Sequence, residues 1–160
     1  MDIELMTGQE MIRFYINFDE LYKNLLCQKE QLEKELQDYS DVIKACIPSG
    51  QPHGNETKDP TYDFIVKRMN EGELERYKLQ KKMNIAIIFK DEYVVCQRVN
   101  MLVAEKKTLE ILEAAFRDNL DEEKLWTKSN YSQGHFNKIK RRTMNKLERH
   151  IKSKLPPTKH

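Results

Sequence analysis

From Thr7 to Cys46 the apolar residues recur at a helical spacing. Thr7-Gly8-Gln9-Glu10 matches a capping box, in which the Thr hydroxyl and the Glu carboxylate each satisfy a free backbone N–H. It predicts one helix running from there to about Cys46. Phe18, Leu25, Leu32, Tyr39 and Cys46 stand seven residues apart. Leu21 and Val42 add the complementary three-residue step, and Leu36 and Ile43 flank it. This heptad pattern makes a narrow apolar stripe on a helix of roughly 60 Å. Gln28 and Glu35 interrupt the seam. Two uses suit the stripe: packing along another helix of the same chain, or a coiled coil between subunits. The segment Ile47–Asn55 holds two Pro and two Gly and reads as a loop, set at residues 47–58. His53 lies in it with no second His or Cys nearby, as an exposed loop residue.

Asp59-Pro60 reads as an N-cap and first helical residue. Tyr62, Ile65, Val66, Met69 and Tyr77 follow at helical spacing, with Gly72 as a weak point. Residues 83–103 are rich in β-branched side chains and fit either a helix or a hairpin turning at Lys90-Asp91-Glu92. That connection has no Gly or Asn for a tight turn, which favours helix. Ile88, Val95, Leu102 and Leu109 keep a seven-residue step beside Ile85 and Val99. Packed on the Phe18-to-Tyr39 stripe, they would complete an antiparallel helical layer from 7 to 104.

Leu109, Leu112, Ala115 and Phe116 give one apolar face to a helix starting near Thr108. Asp121 caps a short helix, Glu122–Lys128, whose Trp126 is expected in the core. Ser129-Asn130 is a turn, with Asn130 suited to the left-handed conformation. Ser132 then caps a last helix that buries Phe136, Ile139, Met144, Leu147 and Ile151. The fold class is therefore all-α. Residues 1–104 form an N-terminal helical or oligomerisation region, 105–155 a helix-turn-helix unit, and 156–160 a tail.

Charge changes the picture more than composition does. The chain of 160 residues carries 28 Lys+Arg against 26 Asp+Glu. From Lys124 to His160, eleven Lys and Arg face one acid, Glu148, a net +10 that leaves −8 on residues 1–123. A cationic stripe at one end is the electrostatic footprint of a surface that meets phosphates, although a solvated basic helix looks the same. Five Gly and five Pro are too few for the turns of a sandwich or barrel. No run approaches the roughly 18 apolar residues of a membrane span, and no apolar leader opens the chain. Three widely spaced cysteines suit reduced thiols in a cytosol. No phosphate-binding Gly loop, nucleophile elbow, metalloprotease motif or paired-cysteine motif occurs, so no enzyme, cofactor or metal site is expected.

Residues Leu109 to Leu147 resemble the sigma-factor region-four fold, in the form found in RinA/ArpU-type phage transcriptional regulators. The resemblance is carried by Tyr131, Ser132, Ile139-Lys140-Arg141 and Leu147, where that family has an apolar residue, a Ser cap, an Ile-Lys-Arg-like core and a Leu. It is loose upstream. The short helix departs from the family with Lys124-Leu125-Trp126-Thr127-Lys128. The resemblance implies a phage-type transcription regulator in a bacterial host cytosol. Its partners would be double-stranded DNA, RNA polymerase and further copies of the chain through the N-terminal helices. In a recognition helix with Phe136, Ile139 and Leu147 inside, Gln133, Asn137, Lys138 and Arg141 face the bases. Lys140, Arg142, Lys146 and Arg149 suit phosphates, and His135 fits a cap, a phosphate contact or a simply exposed residue. Gly134 weakens the first turn but lets a backbone approach. Two other functions fit the same pattern: a small terminase-like DNA-recognition subunit, and a helical protein-interaction module that binds no DNA.

Overall fold

A computed structural model describes residues 3–46 and 60–156. Every element among them is helical: a 3-10 turn at Ile3–Leu5, α1 (Gly8–Ile16), α2 (Phe18–Cys46) and α3 (Pro60–Val95), then a π-helix at Cys96–Asn100. These are followed by α4 (Val103–Arg117), a 3-10 helix at Glu122–Lys128, and α5 (Gln133–Lys154). The fold is all-α. No described helix is long and apolar enough to cross a membrane. The expected loop at 47–58, with His53 and Asp59, lies outside the described residues, as does the tail beyond Pro156.

The Thr7 capping box is present. Its hydroxyl accepts from Glu10 N at 3.3 Å, and Glu10 Oε2 accepts from Thr7 N at 2.7 Å. The helix it opens does not run to Cys46 unbroken. It ends at Asn17, whose side-chain amide donates to the Arg13 carbonyl at 3.0 Å. A side chain that competes for a helix carbonyl is the physical reason for that break. The Asn17 carbonyl then accepts from Leu21 N, so α2 restarts at once.

The described chain packs as two compact units, Tyr22–Met83 and the combination of Met1–Leu21 with Asn84–His160. That division differs from the boundary drawn at 104/105. Unlike the sequence, which separates α1 from the C-terminal helices, the fold joins them. In the Tyr22–Met83 unit, α2 and α3 run antiparallel, with Lys29 bonded to Gln80 and Arg68 clasping Glu35 through two nitrogens at 2.9 and 3.1 Å. Leu32, Leu36 and Ile65 are buried there, so the middle of the heptad stripe is covered within its own chain, while Val42 towards its end is 44% exposed. Gly72, read as a weak point, sits against the Leu36 side chain, which needs the missing Cβ.

In the other unit, α1 contacts both α4 and α5. Phe14 meets Phe89 edge-on at 4.7 Å, and Tyr15 stacks on Tyr93 at 3.8 Å. The fully buried Tyr93 hydroxyl donates to Glu113 at 2.8 Å, and burial, then Glu113, pushes its pKa far up. Residues 83–95 are helix and not hairpin, but the buried positions are Met83, Ala86, Phe89, Tyr93 and Cys96. The seven-residue series does not follow this face: Val95 and Leu102, with Val99 beside them, are 42%, 60% and 75% exposed, while Leu109 is buried. The larger aromatic face wins the core over the aliphatic one, because it removes more apolar area from water. α4 begins at Val103, not Thr108; Glu105 Oε2 accepts from Leu102 N at 2.9 Å, and Thr108 is buried with its hydroxyl on the Ala104 carbonyl.

Gly8, where α1 starts, lies against the backbone of Met144; a Cβ there would stand 2.8 Å from its carbonyl oxygen. Backbone cannot rotate aside as a side chain can. Gly8→Ala is expected to destabilise by about 1 to 3 kcal/mol. Gly72→Ala meets only a side chain, that of Leu36, and gains helix propensity, so it should cost less than Gly8→Ala. Urea melts of both variants check the order, and equal melts would show that α1 does not hold that close approach.

Candidate nucleic-acid interface

The segment that presents the basic helix is built from local bonds. Asp121 Oδ1 accepts from Glu123 N at 3.0 Å and starts the 3-10 helix. Ser129 ends it, with both its N–H and its hydroxyl on the Trp126 carbonyl, at 3.0 and 2.7 Å. Among the described non-glycine residues the positive φ falls on Asn119, at 51°, and not on Asn130. The chain therefore reverses before the short helix, and the turn after it is held by Ser129. Leu125 takes the core position expected of Trp126, which is only half-buried. The Ser132 hydroxyl accepts from His135 N at 3.4 Å, the cap expected from sequence.

α5 buries Phe136, Ile139, Thr143, Leu147 and Ile151. Met144, expected inside, is half-buried. Thr143 takes a core position because its hydroxyl is satisfied by the Ile139 carbonyl at 2.9 Å. Side chains at the flanks of this face fasten α5 to the unit. Lys140 pairs with Glu122 at 3.0 Å, and the same carboxylate takes Gln9 at 2.6 Å and Arg13 at 3.7 Å. Lys146 pairs with Glu105 at 2.7 Å and donates to the Asn100 carbonyl at 3.2 Å. Asn100 also donates to His150 Nδ1 at 2.8 Å, so the proton on Nε2 faces Glu92 at 2.7 Å.

Glu105 is 1% exposed. Burial alone would raise its pKa, but the hydrogen bonds from Lys146 and from Leu102 N, with the Lys146 charge, together outweigh burial and hold it below the usual carboxylate value. Its other oxygen, Oε1, is buried with no hydrogen-bond partner. Cys96, beside this cluster, is also buried, and burial pushes its thiol up to about 11.

The nine residues singled out from sequence therefore divide. Lys140 and Lys146, expected at phosphates, each pair with a carboxylate of their own unit within 3.0 Å. Gln133, Asn137, Lys138, Arg141, Arg142 and Arg149 are exposed. His135 is exposed too, with its ring tilted against Tyr131 at 5.0 Å. Lys138, Arg141, Arg142 and Arg149 form no ion pair among the described residues, and together with Lys146 they line a shallow concavity of about 380 Å³. Asn145 lines it as well. Sequence reasoning passed it over, although it stands four residues after Arg141 and four before Arg149. Gly134 has open space around it. The face offers hydrogen-bond donors and positive charge, which suits it to bind a polyanion.

No family model, no curated protein and no solved structure matches this chain.

Proposed function

We propose that this chain is a sequence-specific transcription regulator that binds double-stranded DNA through the outer face of α5. The observation that carries the reading is the sorting of charge on one helix. Its flanking lysines are neutralised by Glu105 and Glu122, while Lys138, Arg141, Arg142 and Arg149 are left without ion pairs on the side away from the core. Like charges gathered on one face repel one another, and apart from the Arg142 charge, which helps to hold down the pKa of Glu105, the fold draws no pairing from them. A duplex offers the complement: phosphates along both rims of a major groove wide enough to admit a helix. A transcriptional and phage-type role rests on the resemblance of Leu109–Leu147 to sigma region four. RNA polymerase and a second copy of the chain are the protein partners that resemblance implies.

Titration of a random-sequence duplex against salt tests the reading. Each phosphate neutralised contributes a slope of about −0.9, so four contacts predict an affinity loss of about 150-fold over a fourfold rise in salt. Replacing Lys138, Arg141, Arg142 and Arg149 together by Gln should remove most of the slope. An unchanged slope in that variant, or no binding by the wild type at low salt, would overturn the proposal.

A further inference from the structure

The cations of the concavity flank a residue that the fold does not require, and the same residue lines an adjoining recess with Glu148, whose carboxylate is paired with Lys152. Asn145 is exposed near the middle of α5, nine residues after the buried Phe136. At 3.6 residues per turn that places it on the side opposite Phe136. Its carboxamide has no hydrogen-bond partner among the described residues. Asparagine is a weak residue for a helix interior, since its amide competes for backbone hydrogen bonds. Here it neither caps the helix nor packs in the core. Lys138, Arg141, Arg142, Lys146 and Arg149, which line the concavity with it, carry donors only. Asn145 is the one lining side chain that also carries an acceptor.

We propose that Asn145 is a specificity-determining residue that reads the major-groove edge of an adenine. This rests on the DNA-binding reading above. Adenine presents the N7 acceptor and the N6 amino donor there, which a carboxamide matches with two hydrogen bonds. Lysine and arginine lack the acceptor and are suited to guanine or phosphate. Base reading is thus centred about one turn beyond Arg141, in the middle of α5, with the cations placed to hold the phosphates on either side. Asn137 is exposed as well but does not line the concavity.

The test is selection of sites from randomised duplexes by the full chain and by Asn145→Ala, followed by titration of the preferred duplex. A second duplex carries 7-deazaadenine, which lacks N7, at the selected adenine. The wild type should select a motif with an A·T pair. Asn145→Ala should lose preference at that pair alone, a discrimination of about 5- to 150-fold. The 7-deazaadenine duplex should weaken the wild type and leave Asn145→Ala unaffected. Alanine is the better helix former, so the variant should melt no lower than the wild type. An unchanged motif, or an equal 7-deazaadenine penalty in both proteins, would overturn the assignment. Wild-type binding without any motif would overturn it too, while leaving the affinity of the basic face for DNA standing. No wild-type binding at low salt would bring down both readings.

Discussion

Lys146→Ala is expected to destabilise the protein by about 3 kcal/mol, the low end of the range for breaking a buried ion pair. Lys146 is itself 36% exposed and Glu105 only 1%, so removing the lysine strands the more deeply buried charge. Glu105→Ala should cost less, about 1 to 2 kcal/mol, because the lysine it leaves can turn to water. The pH dependence identifies the mechanism. In the wild type Glu105 has a depressed pKa, so it contributes stability above the unfolded carboxyl value of about 4.3, lost as pH falls through the folded one. In Lys146→Ala the Lys146 hydrogen bond and charge are gone and only the Leu102 N–H and the Arg142 charge still oppose burial, so the folded pKa should rise. The stranded carboxylate then costs most near neutrality and is relieved by protonation as pH falls. Urea unfolding at about pH 7 and about pH 4 should show the gap between the two proteins narrowing at the lower pH. A gap of equal size at both would mean that lost packing, not a stranded charge, is the cause.

Phe136→Ala is expected to cost about 3 to 5 kcal/mol. Phe136 is 1% exposed and opens the buried face of that helix. Trp126→Ala should cost clearly less despite the larger side chain. Trp126 is half-buried, and its neighbour Leu125, at 1% exposure, fills the position beneath. Paired melts decide this. A Trp126 variant as unstable as the Phe136 variant would show that the indole packs more tightly than its exposure indicates.

Features fixed by neighbouring residues were legible in the sequence. The capping oxygens of Thr7, Asp121 and Ser132 act within three residues of themselves, and all three accept the expected backbone N–H groups. Phe136, Ile139, Leu147 and Ile151 face inward as their spacing requires. What depends on partners distant in sequence was not legible. A lysine at position 146 looks like any other cation of the basic tail until Glu105, 41 residues earlier, is seen beside it. The π-helix at Cys96–Asn100 shifts the angular phase of the chain, so a seven-residue series read through it from Ile88 to Leu109 does not describe one face. Two Asn residues misled in opposite ways: Asn17 ends a helix that periodicity would have continued, and Asn119 takes the left-handed turn expected of Asn130. Asn145 carries no charge that sets it apart in a run of Lys and Arg; only its place in the concavity does.

The lysines of α5 held by carboxylates of their own unit have an entropic consequence. Lys140 and Lys146 tie two successive stretches of α5 to Glu122 and Glu105, and His150 adds a third attachment to Glu92. Folding has therefore already met the cost of ordering this backbone. A ligand on the opposite side has only a few side-chain rotamers left to immobilise, at about 0.5 to 1.5 kcal/mol each. An unanchored basic peptide of the same sequence would have to form its helix during association. It should bind more weakly while presenting the same outward charges.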